Sequence, residues 1–241
     1  MVFGLHAVSE TLKSDNDVDK IFVQNGLRSE GITDISKEAK IKNIPISFVP
    51  IEKLNRFTRK NHQGVVCFTS SVNYASLDNI LDKAYSSGKD PFILILDKIT
   101  DVRNFGAISR TAECAGVHGI VIPSRGSAQI NADAVKTSSG ALNYIPVCRE
   151  FNLKETITYL KESGITIIAC SEKTEEMIHD VDYNRPIAII MGSEESGISQ
   201  EYLKLADHHV KIPMTGQVGS LNVSVATGVV VYEAIRQRGL K

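Results

Sequence analysis

Ile212-Pro213-Met214-Thr215-Gly216-Gln217-Val218-Gly219-Ser220-Leu221-Asn222-Val223-Ser224-Val225-Ala226-Thr227-Gly228 is the stretch whose reading decides the fold. A short strand ends in Pro213. A loop with Gly216 and Gly219 follows, and an apolar helix opens with Ser220, Asn222 and Ser224. Small polar side chains thus sit where the first backbone N–H groups of a helix lack partners. The strand–loop–helix order is that of a ligand site at the carboxyl end of an α/β sheet.

The chain upstream repeats this logic. Apolar runs occur at Phe92–Leu96, Gly119–Ile122, Ile145–Cys148, Ile165–Cys170, Ile187–Met191 and Val210–Ile212. Helix-like segments such as Leu153–Lys161 lie between most of them. Short, nearly uniform apolar strands alternating with helices predict a parallel sheet covered on both faces. Residues 1–70 read as a separate small α/β unit, with helical patterns at Val8–Leu12 and Ile32–Lys42. Strand patterns fall at Lys20–Val23, Ile46–Val49 and Gly64–Thr69. Residues 71–88 are expected to link the two domains, although Leu77–Tyr85 has a helical pattern. The second domain is placed at 89–241. No internal repeat is visible.

Composition narrows the classes. The 241 residues are 42% hydrophobic, enough for a sizeable core. No apolar run reaches eighteen residues and no signal peptide is evident at the N-terminus, so a cytoplasmic protein without a membrane span is expected. Cys67, Cys114, Cys148 and Cys170 are far apart, without zinc or redox spacing, and are expected to be reduced core thiols. Net charge is −1, but residues 1–74 hold ten Lys and Arg against eight Asp and Glu. Lys53, Arg56, Arg59, Lys60 and His62 crowd around Phe57. Such a cluster suits phosphate contacts and base stacking, or is a solvated helix face.

Two further segments carry candidate chemistry. The first apolar run leads into Asp101-Val102-Arg103-Asn104-Phe105-Gly106-Ala107-Ile108-Ser109-Arg110. Asp101 or Asn104 can cap the following helix. Arg110, amid small apolar residues, calls for a partner, since a buried unpaired charge is costly. A structural salt bridge and an anionic ligand such as RNA phosphate both answer. The run Ile187–Met191 ends in Gly192-Ser193-Glu194-Glu195-Ser196-Gly197. Its glycines have phosphate-loop spacing, but Ile198 replaces the required lysine, and two carboxylates repel a polyphosphate. Glu194 can bond a neutral or cationic ligand, or cap the helix after Gly197. No metal-ligand cluster stands out. His208 and His209 read better as core or surface residues than as a metal site.

These segments resemble, in order and spacing, the three motifs of the SpoU/TrmH family of RNA ribose 2′-O-methyltransferases. They are Asp101–Gly116, Ile189–Glu194 with Gly197, and Ile212–Ala226. Phe3-Gly4-Leu5-His6-Ala7-Val8 and His62-Gln63-Gly64 resemble the N-terminal domain of the RlmB-type subgroup, which methylates a guanosine ribose in 23S rRNA. The resemblance implies a trefoil-knotted parallel-sheet methyltransferase domain preceded by a small α/β substrate-binding domain. S-adenosylmethionine is then held by Met191, Gly192, Ile212, Met214, Ser220 and Leu221, with no metal. Arg110 takes the central catalytic position, joined by Asn104, Glu194, Ser220 and Asn222. Glu195 stands where the subgroup often has a small residue, and the motif role goes to Glu194. Arg56, Arg59, Lys60 and His62 become RNA contacts, 23S rRNA the partner, and a homodimer the expected state. The alternatives are a tRNA ribose 2′-O-methyltransferase and a non-catalytic RNA-binding ribosome assembly factor.

Overall fold

The chain divides into two units after Asn73, inside the stretch 71–88 expected to be linker. The computed structural model describes residues 1–14 and 17–239. The last two residues of the expected second domain lie outside these. One unit comprises Met1–Asn73 with Gln129–Asn131, the other Tyr74–Ala128 and the chain from Ala132 onward.

In the first unit the elements are β1 (Val2–Phe3), α1 (Leu5–Lys13), β2 (Val18–Gln24), α2 (Glu30–Ile41), β3 (Ile46–Val49), α3 (Ile51–Phe57) and β4 (Val65–Thr69). The sheet order is β1-β4-β2-β3, with β2 and β3 parallel and the other pairs antiparallel. Alternation along β2 divides two cores. Ile21 and Val23 pack with Val8, Leu12, Ile32 and Ile35 of the helices. Phe22 joins Leu54, Phe57 and Phe68. The separated N-terminal motif pieces meet here. Leu5 N–H donates to Gln63 Oε1 (2.9 Å). Gly64 has φ 74°, and a Cβ there would stand 2.3 Å from Leu27 Cδ2. That position needs glycine for its backbone, whatever room the Leu27 side chain can give.

In the second unit six strands form an all-parallel sheet, ordered β10 (His208–Val210), β8 (Thr166–Cys170), β9 (Ile187–Gly192), β5 (Phe92–Asp97), β6 (Gly119–Pro123) and β7 (Val147–Glu150). The helices are α4 (Leu77–Ser86), α5 (Val102–Cys114), α6 (Ala132–Thr137), α7 (Leu153–Glu162), α8 (Gln200–Leu203) and α9 (Val223–Arg238). Ile93, Ile95, Val121, Ile167, Ala188 and Ile190 fill one core together with Leu77, Ile80 and Leu81 of α4. The stretch 71–88 is therefore not all linker. Ser76 caps α4 by accepting from Asn79 N–H (3.3 Å), and the helix packs into the second unit. Among the described residues no helix is long and apolar enough to cross a membrane.

Two sequence expectations shift. The last strand is His208–Val210 rather than Val210–Ile212, because Val210 pairs with Cys170, where β8 ends. Ile212 and Met214 thereby fall in the loop. Of the cysteines, Cys67 and Cys148 are buried, but Cys114 is exposed.

Candidate active site

Adjacent β5 and β9 run in register, with Asp97 opposite Gly192 at their carboxyl ends. The chain leaves β5 toward β6 and β7 on one side, while β8 and β10 lie on the other. Such a reversal opens a crevice between the outgoing loops. Asp97, buried, accepts from Ser199 N–H (2.7 Å) and ties the two loops together.

Three loops converge on one carboxylate. Asp101 caps α5, accepting from Arg103 and Asn104 N–H at 2.8 Å each, so the Asn104 side chain is left for other work. Asn222 caps α9 by accepting from Ser224 N–H (3.0 Å). The Asn222 amide donates to Glu194 Oε1 (2.6 Å) and to Asn104 Oδ1 (3.0 Å). Glu194 Oε1 also accepts from Val223 N–H (3.1 Å) and from the Asn104 amide (3.4 Å). A negative charge at the start of α9 is favoured by the free N–H groups and by the helix dipole. Glu194 therefore caps a helix, but α9 rather than the one after Gly197, and it clamps Asn104 and Asn222 as it does so.

Beside this cluster lies a cavity of about 400 Å³. Met191, Ile212, Met214, Leu221, Val223 and Ala226 supply apolar wall, Glu172, Glu194 and Glu195 place three carboxylates on it, and Lys173 and Lys211 two ammonium groups. A cavity with apolar wall and convergent polar groups suits a small organic ligand, and the excess of carboxylates over lysines suits one bearing a positive charge. Gly192 is required by the loop itself. A Cβ there would stand 2.2 Å from the carbonyl carbon of Gly197 and 2.3 Å from Ile198 N. The turn it closes is held by Gly197 N–H to Ser193 O (2.9 Å). Gly192→Ala is expected to displace this turn and weaken binding at the cavity at least about tenfold, with a melting temperature lower by several degrees. Calorimetric titration and thermal melting check both; an unchanged affinity refutes the cavity as the site.

Family models match most of the chain. Residues 91–232 match the SpoU rRNA methylase family, and residues 1–75 match the RNA 2′-O ribose methyltransferase substrate-binding domain. The chain belongs to the SpoU rRNA methylase family. YacO of Bacillus subtilis, named for TrmH family tRNA/rRNA methyltransferases, is 38% identical over 98% of this chain and 95% of its own. A Staphylococcus epidermidis relative named for the same family is 36% identical over 99% of this chain and 96% of its own. The crystal structure of the SpoU methyltransferase AviRb from Streptomyces viridochromogenes, in complex with AdoMet, superposes with TM-score 0.63. It is 23% identical, over 98% of this chain and 89% of that one, and bears on the fold. The A. aeolicus TrmH/SpoU tRNA modifying enzyme is 32% identical with TM-score 0.57, over 62% of this chain and 75% of its own.

Against the SpoU motifs, the structure brings some expected residues together and separates others. Asn104, Glu194 and Asn222 form the cluster, and Met191, Gly192, Ile212, Met214, Ser220 and Leu221 all line the cavity. Arg110 does neither. It is exposed, and no described residue pairs with it. The buried stripe of α5 runs through Phe105, Ile108, Ser109 and Ala112, the spacing of one helix face, and Arg110 lies off it. Six residues from Asn104 put it about 9 Å along the axis and two-thirds of a turn around. The expectation of a charge embedded among apolar side chains is corrected accordingly.

In the first unit Arg56, Arg59 and Lys60 are exposed, but His62 is buried at 7%. Its Nδ1 accepts from Gly64 N–H (3.0 Å), which leaves Nε2–H for Asn55 Oδ1 (3.0 Å). Both ring nitrogens hold the loop before β4, so His62 leaves the expected RNA cluster. Sequence reading missed Cys170–Lys173 and Lys211, which line the cavity. Cys170 ends β8, and the carboxyl end of a parallel strand was the available signal. Burial pushes the Cys170 thiol up to about 12, so it packs as a thiol and not as a nucleophile.

Proposed function

We propose that this chain transfers the methyl group of S-adenosylmethionine to a ribose 2′-hydroxyl of RNA, specifically of a guanosine in 23S rRNA, in the cytoplasm. The observation that carries the reading is the Glu194–Asn104–Asn222 clamp on the wall of the 400 Å³ cavity. The cavity fits the cofactor: part of its wall is apolar, its three carboxylates outnumber its two lysines and suit a sulfonium, and the Gly192 turn leaves no room for a side chain. Met191, Gly192, Ile212, Met214, Ser220 and Leu221 would hold it. When bound, S-adenosylmethionine supplies an electrophilic methyl group. The trefoil knot expected for the fold belongs to the same reading.

A ribose hydroxyl is almost wholly protonated at neutral pH, so its oxygen must be held in line and its developing charge stabilised. Asn104 and Asn222, fixed by Glu194, can orient the ribose. An arginine is a poor base, with a pKa above about 12. Arg110 instead offers a planar donor fork to the adjacent phosphate and to a developing alkoxide.

Within one protomer Arg110 does not line the cavity, and we infer that a second copy brings it to one. Val225, Val229 and Tyr232 project from α9 at helical spacing and are exposed, while Val223, Thr227, Val230 and Val231 are buried on its other side. A helix apolar on both sides is normally covered on both. A Cβ on Gly228 of α9 would stand 3.8 Å from Thr111 Cγ2, beside Arg110. We place the homodimer across this face, with Arg110 serving the partner's site. Val229→Asp is expected to give monomers in sedimentation velocity and to lose transfer. A dimer that survives the substitution puts the interface elsewhere.

Mapping ribose methylation in rRNA and tRNA from cells lacking the protein tests the substrate. A single unmethylated 23S guanosine supports the assignment. The likeness to the A. aeolicus tRNA modifying enzyme favours tRNA as the second reading, and loss of a tRNA methylation selects it. An unchanged methylation map leaves an assembly factor.

The basic cluster supplies a further test. Losing Arg56, Arg59 and Lys60 together is expected to raise the RNA dissociation constant. It should flatten its dependence on log salt by about 2, at about 0.7 per single-strand phosphate contact. Cofactor affinity stays the same. If affinity and slope are both unaltered, the cluster is a solvated face.

A further inference from the structure

The parallel sheet carries another cavity at its amino edge, away from the crevice at the carboxyl ends of β5 and β9. Of about 490 Å³, it is lined by His118, which precedes β6, and by Pro146, which precedes β7. The last turns of α4 and α5 close its other sides. Ile80, Ala84, Val117 and Ile145 are buried and give it an apolar wall. Tyr144 stands beside them, 78% exposed.

The polar lining holds more donors than acceptors. Lys83 and Lys89 bring two ammonium groups, against one carboxylate from Glu113. His118 adds a donor held in place. Its backbone N–H donates to Phe92 O (2.8 Å), and its Nδ1 accepts from Phe92 N–H (3.0 Å), which leaves the ring proton on Nε2. Burial, then Arg238 and Lys89, holds this imidazole below its usual range, so the ring stays neutral at pH 7. Carbonyls at the adjoining helix ends are already taken. Ala84 O accepts from Lys89 N–H (3.2 Å) and Ser87 Oγ (2.7 Å), and Glu113 O accepts from Gly116 N–H (3.0 Å). No described residue bonds or ion-pairs with the side chains of Asn79, Lys83, Lys89, Glu113 or Tyr144, nor with His118 Nε2.

We propose that this cavity binds a phosphomonoester on a planar body, a nucleoside 5′-monophosphate, apart from the cofactor. Lys83, Lys89 and His118 Nε2–H hold the phosphate, a group that takes several charge-assisted hydrogen bonds at once. The base lies against the apolar wall with the Tyr144 ring on its face, and Glu113 accepts from a base N–H. Inorganic phosphate leaves the apolar wall wet, and a bare nucleoside leaves the donors unpaired. A free nucleotide and the 5′-phosphorylated end of an RNA strand offer the same chemistry. The assignment concerns binding alone and stands apart from the methyltransferase reading.

The test is calorimetric titration of the full chain, with S-adenosylmethionine present to fill the carboxyl-end cavity. GMP and AMP are expected to bind one per chain, at least about tenfold more tightly than inorganic phosphate, guanosine or adenosine. The Lys83→Ala, Lys89→Ala double variant should weaken GMP at least about tenfold and remove most of the salt dependence of binding. Both lysines are exposed and unpaired, so this variant should melt with the parent. Tyr144→Ala weakens GMP with the salt dependence kept. His118→Asn retains an acceptor for Phe92 N–H but loses the Nε2 donor, and should also bind GMP more weakly. Cofactor affinity is unchanged throughout. A 5′-phosphorylated trinucleotide bound as well as GMP assigns the strand end; one bound at least about tenfold more weakly assigns the free nucleotide. Dissociation constants above about 1 mM for both GMP and AMP, or GMP binding unmoved in the double variant, overturn the site.

Discussion

Arg110→Ala is expected to lower methyl transfer by about 100- to 1000-fold, the usual cost of removing a donor aimed at developing oxyanion charge. Cofactor affinity should hold, since Arg110 does not line the cavity. The melting temperature should hold within about 2 °C, because the side chain is exposed and unpaired. Arg110→Lys should not rescue, as a point charge cannot copy the planar fork. Mixing inactive Arg110→Ala and Glu194→Ala proteins examines the supply of Arg110 across the dimer. Each mixed dimer would keep one intact site, so an equimolar mixture should recover about a quarter of the parent rate. A mixture no more active than its components argues against supply across the interface, and near-normal turnover by Arg110→Ala alone removes the residue from the mechanism.

Glu194→Ala should cost about 100-fold in kcat/KM for a different reason. It removes the shared acceptor of Asn222, Asn104 and Val223 N–H, so the clamp and the start of α9 loosen together. A misplacement of about 1 Å in groups that orient a reacting atom is enough for a loss of that size. Because Glu194 lines the cavity, cofactor affinity should also fall, about tenfold. Glu194→Gln keeps an oxygen able to accept from Val223 N–H and Asn222 and should retain most cofactor affinity, while the missing charge lowers the rate. Isothermal titration with single-turnover kinetics separates the two effects. Unchanged single-turnover rates in a folded Glu194→Ala protein would show that the clamp has no part in the chemistry.

Sequence alone determined the parallel sheet, because strands buried on both faces must be apolar along their length, and β5, β8 and β9 are, apart from Asp97 and Thr166 at their ends. It also pointed to the loops that form the candidate site, since Gly192, Asn222 and Asn104 mark strand ends and helix starts by local chemistry. Tertiary structure decided how those marks combine. Whether Glu194 capped α8 or α9 could not be read from the chain, because its partners lie 28 and 90 residues away. The same holds for His62, a member of a basic run by spacing but drawn inward by Asn55 and Gly64. Arg110 shows the converse: its exposure follows from its phase relative to Phe105, Ile108 and Ala112, a period already present in the sequence. Local periodicity records burial and capping, which act within a few residues; convergence of side chains across strands is set by sheet order, which no local pattern encodes.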